Sequence, residues 1–195
     1  MKDLILIALE SEAPEMQSWD NVFFTGVGKV NAAIRASALI QEHKPNRVWN
    51  FGTAGGINPD CKDLVEVSNF VQRDMRCCEL GFDLGMTPFE DYIAINFNDP
   101  DEGYTCSTGD NFVDSPELEI PADVVDMEAY AIAKACQYHG VEFKCFKYIS
   151  DSADENANEE WHNTVANGEP YYIDVWNTHT SNLNDYDTQL QLDMD

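Results

Sequence analysis

An α/β fold built around a buried, largely parallel sheet is predicted by three stretches of the chain. Leu4 to Leu9 is a continuous apolar run without alternation, the pattern of a strand covered on both faces. Arg47 to Phe51 is a second such strand, running straight into the glycine-dense Gly52 to Gly56. The third stretch, Val124 to Asp154, couples an Ala-rich helix from Met127 to His139, stopped by Gly140, to an apolar strand from Val141 to Ile149. That strand ends in Ser150, Asp151, Ser152, Ala153 and Asp154. Ligands of open α/β sheets bind beyond the carboxyl ends of the strands, so Asp151 stands where chemistry is expected and Glu128 sits at a helix start able to face it. The same residues admit a second reading, with Glu128 complementing the helix dipole and Asp151 capping the next helix.

The totals bound the class. A chain of 195 residues is one domain, large enough to cover a central sheet with helices without disulfides. Its 36 acidic and 11 basic side chains give a formal charge of -25, which repels phosphate backbones and anionic membranes, so no nucleic-acid or membrane partner is expected. Cys61, Cys77, Cys78, Cys106, Cys136 and Cys145 contain no CxxC pair, and Cys136 and Cys145 fall on elements that look buried. Reduced thiols in a cytoplasmic protein are the expectation, and the adjacent Cys77 and Cys78 lack the His or second Cys pair that a metal site needs. The first apolar run is preceded by Asp3 and closed by Glu10, too short for a signal peptide or a membrane span.

In chain order, Leu4 to Leu9 leads to Glu10, Ser11, Glu12 and Pro14, which puts Glu12 on the same sheet rim as Asp151. A solvated loop accounts for Glu10 better than for Glu12. Val22 to Thr25 is a short strand, followed by Gly26, Val27, Gly28 and Lys29 and a helix to about His43. That glycine turn could cradle an anion at the helix start, but neither a dinucleotide fingerprint nor a P-loop is completed. Three glycines within residues 52–56 allow a close backbone approach to a ligand, with the Thr53 hydroxyl on the rim. Leu64 to Gln72 reads as a longer strand, residues 73–89 as loop, residues 98–103 as turn, and residues 105–113 as a short strand entering a polar glycine turn. Phe112 there is either a stacking face for a flat ring or an ordinary core aromatic. Residues 155–167 form a polar helix with Trp161 and Val165 on its apolar side, and Tyr171 to Trp176 starts a last helix. Residues 1–177 then make one catalytic domain, and 178–195, with several acids and no Lys or Arg, an acidic tail expected to be frayed or disordered.

Six segments together resemble the purine nucleoside phosphorylase superfamily, and within it the 5'-methylthioadenosine/S-adenosylhomocysteine nucleosidases. They are ALESE (Ala8 to Glu12), GVGK (Gly26 to Lys29), NFGTAGG (Asn50 to Gly56), STGDNFV (Ser107 to Val113), VDMEAYAI (Val125 to Ile132) and ISDSAD (Ile149 to Asp154). They follow the family order, and the last two are the specific ones.

The resemblance implies a three-layer α/β/α sandwich with a central mixed sheet and hydrolysis of a purine N-glycosidic bond, with water as co-substrate and no metal or cofactor. By position, Glu12 looks like the base that activates water, Glu128 like the carboxylate that holds the ribose hydroxyls, and Asp151 like the acid that protonates purine N7, oriented by Ser150. Phe112 would stack on the base, the Val113 backbone would read its edge, and Met127 would pack on the sugar. Val27, Thr53, Ala54, Gly55, Lys147 and Trp161 complete the implied substrate-binding set. The chemistry asks for an acid on the base side and carboxylates on the sugar side, with Asp151 protonated and Glu12 and Glu128 ionised. Family members are usually homodimers, and residues 73–89 are the segment nominated for that contact.

Four features depart from the family pattern. The connection from Glu12 to Gly26 is short, so a strand pair is expected to be missing. Lys147 replaces a usual arginine, Asp126 a usual glutamate, and Trp161 a smaller aromatic over the 5' substituent. Two alternatives stand beside the nucleosidase: a phosphate-dependent purine nucleoside phosphorylase, disfavoured by the acidic first loop and the placement of Arg47 at a strand start, and a catalytically impaired nucleoside-binding protein.

Overall fold

Every residue of β1 (Asp3–Ile7) is buried, as a strand covered on both faces requires. It lies between β2 (Val22–Phe24) and β3 (Arg47–Gly56), parallel to both. The structure is a computed structural model describing residues 3–97 and 103–192, with 182–192 described as helix backbone only. No strand intervenes between β1 and β2, only two 3₁₀ turns at Glu10–Glu12 and Met16–Ser18. The remaining elements are α1 (Lys29–His43), β4 (Leu64–Gln72), β5 (Ile95–Asn96), β6 (Tyr104–Thr108), β7 (Val124–Asp126), α2 (Ala129–His139), β8 (Glu142–Asp151), α3 (Ala157–Thr164) and α4 (Glu169–Leu192). Most of the turn expected at residues 98–103 lies outside the described residues.

The glycine run expected to end β3 at Phe51 instead stays extended to Gly56, because both of its edges are paired. β8 runs parallel along one edge from Arg47↔Glu142 to Gly55↔Asp151, with a register shift at Ala54/Gly55. β7 runs antiparallel to the far end, pairing Gly55 with Val125 and Gly56 with Val124. β7 continues through β6 to β4, all parallel, and β4 returns antiparallel to β8 from Leu64↔Tyr148 to Val67↔Cys145. The mixed sheet therefore closes a five-stranded ring, β3-β7-β6-β4-β8, with β1 and β2 extending outward from β3 and β5 edging β4. Closure of this kind follows when sheet twist accumulates along long, doubly paired strands.

Alternate side chains of β1 enter opposite cores. Leu4 and Leu6 join the larger cluster with Ala32, Ala36 and Leu39 of α1 and Ile132 and Cys136 of α2. Ile5 and Ile7 join the smaller one with Trp49, Phe51 and Tyr172. The α/β/α layering thus persists around β1, β3 and β8.

α4 covers the second core without a break at the boundary expected after residue 177. Tyr172 stacks on Phe51 at 5.1 Å, Trp176 meets Trp49 edge-on at 5.8 Å, and His179 lies 4.5 Å from the Trp49 ring. Arg47 donates to His179 and to Glu142, tying strand starts to this helix. At the other end of α4, the buried Glu169 carboxylate accepts the backbone N–H groups of Glu15 and Met16 at 2.7 and 2.8 Å. Among the described residues no helix is long and apolar enough to cross a membrane.

Among the described residues the Tyr172 hydroxyl is buried with no hydrogen-bond partner, which leaves its desolvation uncompensated by them. Tyr172→Phe is expected to match or exceed the parent in stability by up to about 1 kcal/mol in urea unfolding; a loss of that size would mean the hydroxyl is satisfied in solution.

Candidate active site

The turn after β1 folds Glu12 back over the strand ends while Glu10 stays exposed. Glu12 is 3 % exposed. Its Oε2 accepts the Leu9 backbone N–H at 2.9 Å, and its Oε1 accepts both the backbone N–H and the hydroxyl of Thr53 at 2.8 Å. A rim carboxylate would be solvated; this one is held by the backbone of β3.

Because β7 runs back along β3, the residues after Asp126 land beside Thr53 and open α2 toward the same space. Two carboxylates there divide the work. Asp126 accepts the N–H groups of Glu128 at 3.2 Å and Ala129 at 2.7 Å, so it is Asp126 that serves the start of α2. Glu128 makes no cap bond; its Oε1 accepts the Gly28 N–H at 2.8 Å and its carboxyl lines the cavity. The dipole reading of Glu128 therefore belongs to its neighbour.

At the end of β8, Ser150 donates to Asp151 Oδ2 at 2.7 Å and the Ala153 N–H to Oδ1 at 3.0 Å. The residue capping α3 is Asn156, which leaves Asp151 facing the cavity. A Cβ on Gly55 would sit 2.8 Å from Asp151 Oδ1 and 3.1 Å from Val125, so this close approach needs glycine.

The three acids line one cavity of about 230 Å³. Val27, Thr53, Ala54, Gly55, Met127 and Ser150 share its wall, Phe112 and Val113 form one side, and Trp161 comes in from α3. Lys147 is the exception. It lies fully buried behind the wall with its Nζ 2.9 Å from Asp126 Oδ2.

Arg73, Asn158 and His162 are among the lining residues that escaped the sequence reading. Arg73, the first residue after β4, donates to the carbonyls of Ser107, Asp126, Gly109 and Asn111, clamping the loop that carries Phe112. A Cβ on Gly109 would lie within 2.9 Å of three Arg73 atoms, so the glycine makes room for the guanidinium. Asn158 and His162 flank Trp161 on α3. Residues 158, 161 and 162 share one helical face, a spacing visible in the sequence.

The model of the phosphorylase superfamily matches residues 21–111 and 105–170. The chain belongs to the phosphorylase superfamily. Among its relatives, a 5'-methylthioadenosine/S-adenosylhomocysteine nucleosidase of Exiguobacterium sp. is 34 % identical over 164 residues, covering 69 % of this chain and 68 % of the relative. One from Haemophilus influenzae is 32 % identical over 158 residues, covering 69 % of each. In fold it is similar to the Helicobacter pylori MTAN-D198N mutant with 5'-methylthioadenosine in the active site (TM-score 0.78, 24 % identity, 86 % of this chain and 93 % of that one). It is similar also to the native futalosine hydrolase of Helicobacter pylori (TM-score 0.79, 24 % identity, 87 % and 92 %).

In this superfamily member the acids sit in unlike electrostatic settings. Burial alone would raise Asp126, but the Lys147 ammonium, the Thr108 hydroxyl and the Ala129 N–H outweigh it and hold the carboxyl below its ordinary value. Burial would likewise lower Lys147, and Asp126 reverses that, pushing it well above the ordinary lysine range. Glu128 is pushed up to about 8, first by burial and then by the Asp126 charge. Against the expectation of an ionised Glu128, the setting of the site shifts this carboxyl toward its protonated form. Asp151 is raised chiefly by burial, against the opposing hydrogen bonds of Ser150 and Ala153.

A carboxyl raised from 4.5 to about 8 keeps its proton in the fold where the unfolded chain has lost it. Its effect on stability therefore grows more unfavourable as pH rises from about 4.5 to about 8. Glu128→Gln is expected to melt above the parent at pH 8, with the gap shrinking toward pH 5, as read by calorimetry; a pH-independent gap would show that Glu128 titrates normally. Arg73→Ala, which frees the Phe112 loop, is expected to weaken binding of adenine by about tenfold or more in titration calorimetry, on the scale of a lost set of charged hydrogen bonds; unchanged affinity would separate the clamp from ligand binding.

Proposed function

We propose that the protein is a metal-free purine nucleosidase that hydrolyses the N-glycosidic bond of an adenine nucleoside such as 5'-methylthioadenosine or S-adenosylhomocysteine, releasing adenine. The observation that carries this reading is the convergence of Glu12, Glu128 and Asp151 on one cavity beside the Phe112 face. Asp151, raised by burial, delivers its proton to purine N7 as the bond from the sugar to N9 breaks and its electron pair moves into the base. Water adds to the anomeric carbon and gives its proton to Glu12, whose two oxygens are oriented by Leu9 and Thr53. Glu128 binds the ribose hydroxyls, and the positive charge that develops on the sugar favours its ionised form. Phe112 stacks on the base, the Val113 backbone meets its edge, Met127 packs on the sugar and Trp161 covers the 5' group.

Water is favoured over phosphate as nucleophile because the two cations at and behind the cavity are committed. Arg73 spends its terminal nitrogens on four carbonyls, and Lys147 is held by Asp126. We place the enzyme in the cytoplasm, where the six free thiols suit a reducing milieu, and infer a homodimer contacting through residues 73–89, where Leu80 and Phe89 are exposed. Light scattering would measure that state; a fully active monomer overturns the dimer.

Release of adenine from adenosine, 5'-methylthioadenosine and S-adenosylhomocysteine is expected in phosphate-free buffer. Asp151→Asn is expected to lower it by about 10²-fold or more. Release only after phosphate is added would make the protein a phosphorylase, and binding without release under either condition would make it a nucleoside-binding protein.

A further inference from the structure

Trp161 does more than wall the cavity. Its indole N–H donates to the Thr53 hydroxyl oxygen at 3.0 Å, and that hydroxyl donates its single hydrogen to Glu12 Oε1 at 2.8 Å. A threonine hydroxyl has one hydrogen to donate and lone pairs to receive, so with that hydrogen directed at Glu12 Oε1 the indole occupies the acceptor side and the direction of the chain is set. Bonds in such a series polarise one another, which ties the rotamer of Thr53 to the ring at one end and the carboxylate at the other.

The helix that carries Trp161 is anchored to the opposite side of the site. The Thr164 hydroxyl donates to the Ser150 carbonyl at 2.8 Å, and Glu160 accepts the Ser152 N–H at 3.1 Å, bracketing Asp151. Ala157 is fully buried beneath the same helix. α3 thus reaches the backbone on either side of Asp151 through the Thr164 and Glu160 side chains, and Glu12 through the Trp161 indole and Thr53.

We infer that Trp161 is a positioning residue for Glu12, acting through Thr53, so that α3 sets the orientation of the carboxylate on the sugar side while it is fixed to the segment carrying the carboxyl on the base side. The inference rests on the proposed role of Glu12. It also makes the 5' end of the ligand a control on turnover, because a group pressing on the Trp161 ring moves the donor on which Thr53 depends.

The test is a double-mutant cycle of Trp161→Phe, which keeps an aromatic wall but loses the donor, with Thr53→Val, which keeps the shape but loses the hydroxyl. Adenine release from 5'-methylthioadenosine is measured for each protein. Trp161→Phe is expected to lower kcat by about tenfold with KM changed less than about twofold, and to add less than about twofold in the Thr53→Val background. In the Thr53→Ser background, where a hydroxyl is present, the tenfold effect of Trp161→Phe is expected to return. A change confined to KM, or effects that multiply in the Thr53→Val background, would overturn the inference and leave Trp161 as wall only. The indole N–H resonance of Trp161 in nitrogen-15 spectra gives a readout independent of turnover. Glu12→Gln and Thr53→Val are each expected to shift it, and a resonance unmoved by either would overturn the chain. Absence of adenine release by the parent protein would instead count against the proposed function, with the resonance still deciding whether Trp161 communicates with Glu12.

Discussion

The ion pair between Lys147 and Asp126 is the constraint around which the interior is arranged. Both side chains are at most 2 % exposed, and each would be costly to bury alone. Asp126 also receives the Thr108 hydroxyl at 2.5 Å, the Cys106 thiol at 3.3 Å and the first N–H groups of α2, so one carboxylate joins β6, β7, α2 and β8. Those are three of the five strands that close the ring and the helix that presents Glu128. Positions 126 and 147, far apart in the sequence, are therefore one feature of the fold, an acid and a base joined at 2.9 Å.

That pair also dictates the state of its neighbour. With Asp126 kept charged by Lys147, a second negative charge two residues away in a buried site is disfavoured, and Glu128 holds a proton that an isolated glutamate would lose. Asp151 is raised too, chiefly by burial, with the charges of Glu160 and Asp154 adding to it. Three acids within one interior thus occupy different electrostatic settings, the arrangement by which carboxyl groups divide acid and base work.

The parts of this design legible in the sequence were those with a local signature. β1 and the first half of β3 announce themselves because strands buried on both faces carry no polar alternation, and Glu12 and Asp151 stand out as acids immediately beyond such runs. The glycines of β3 carry no local preference, so a turn and a strand read alike until β7 and β8 are known to flank them. Ring closure depends on β8 pairing antiparallel with β4, a contact between distant segments that no short motif encodes. Arg73 looked like a loop residue because its partners are backbone carbonyls, which leave no mark on composition. Composition likewise suggested a boundary after residue 177, where Trp176 and His179 in fact carry α4 across Trp49.

The bond from Glu169 back to Glu15 and Met16 imposes an order in time. Those partners are separated by 154 and 153 positions, so during synthesis the segment just after Glu12 must wait for that much further chain before this contact can form. The bonds of Glu12 to Leu9 and Thr53 need only β1 and β3, whereas the contact of the following loop with Glu169 needs α4. One carboxylate thus couples the formation of α4 to the closing of a turn that was synthesised long before it.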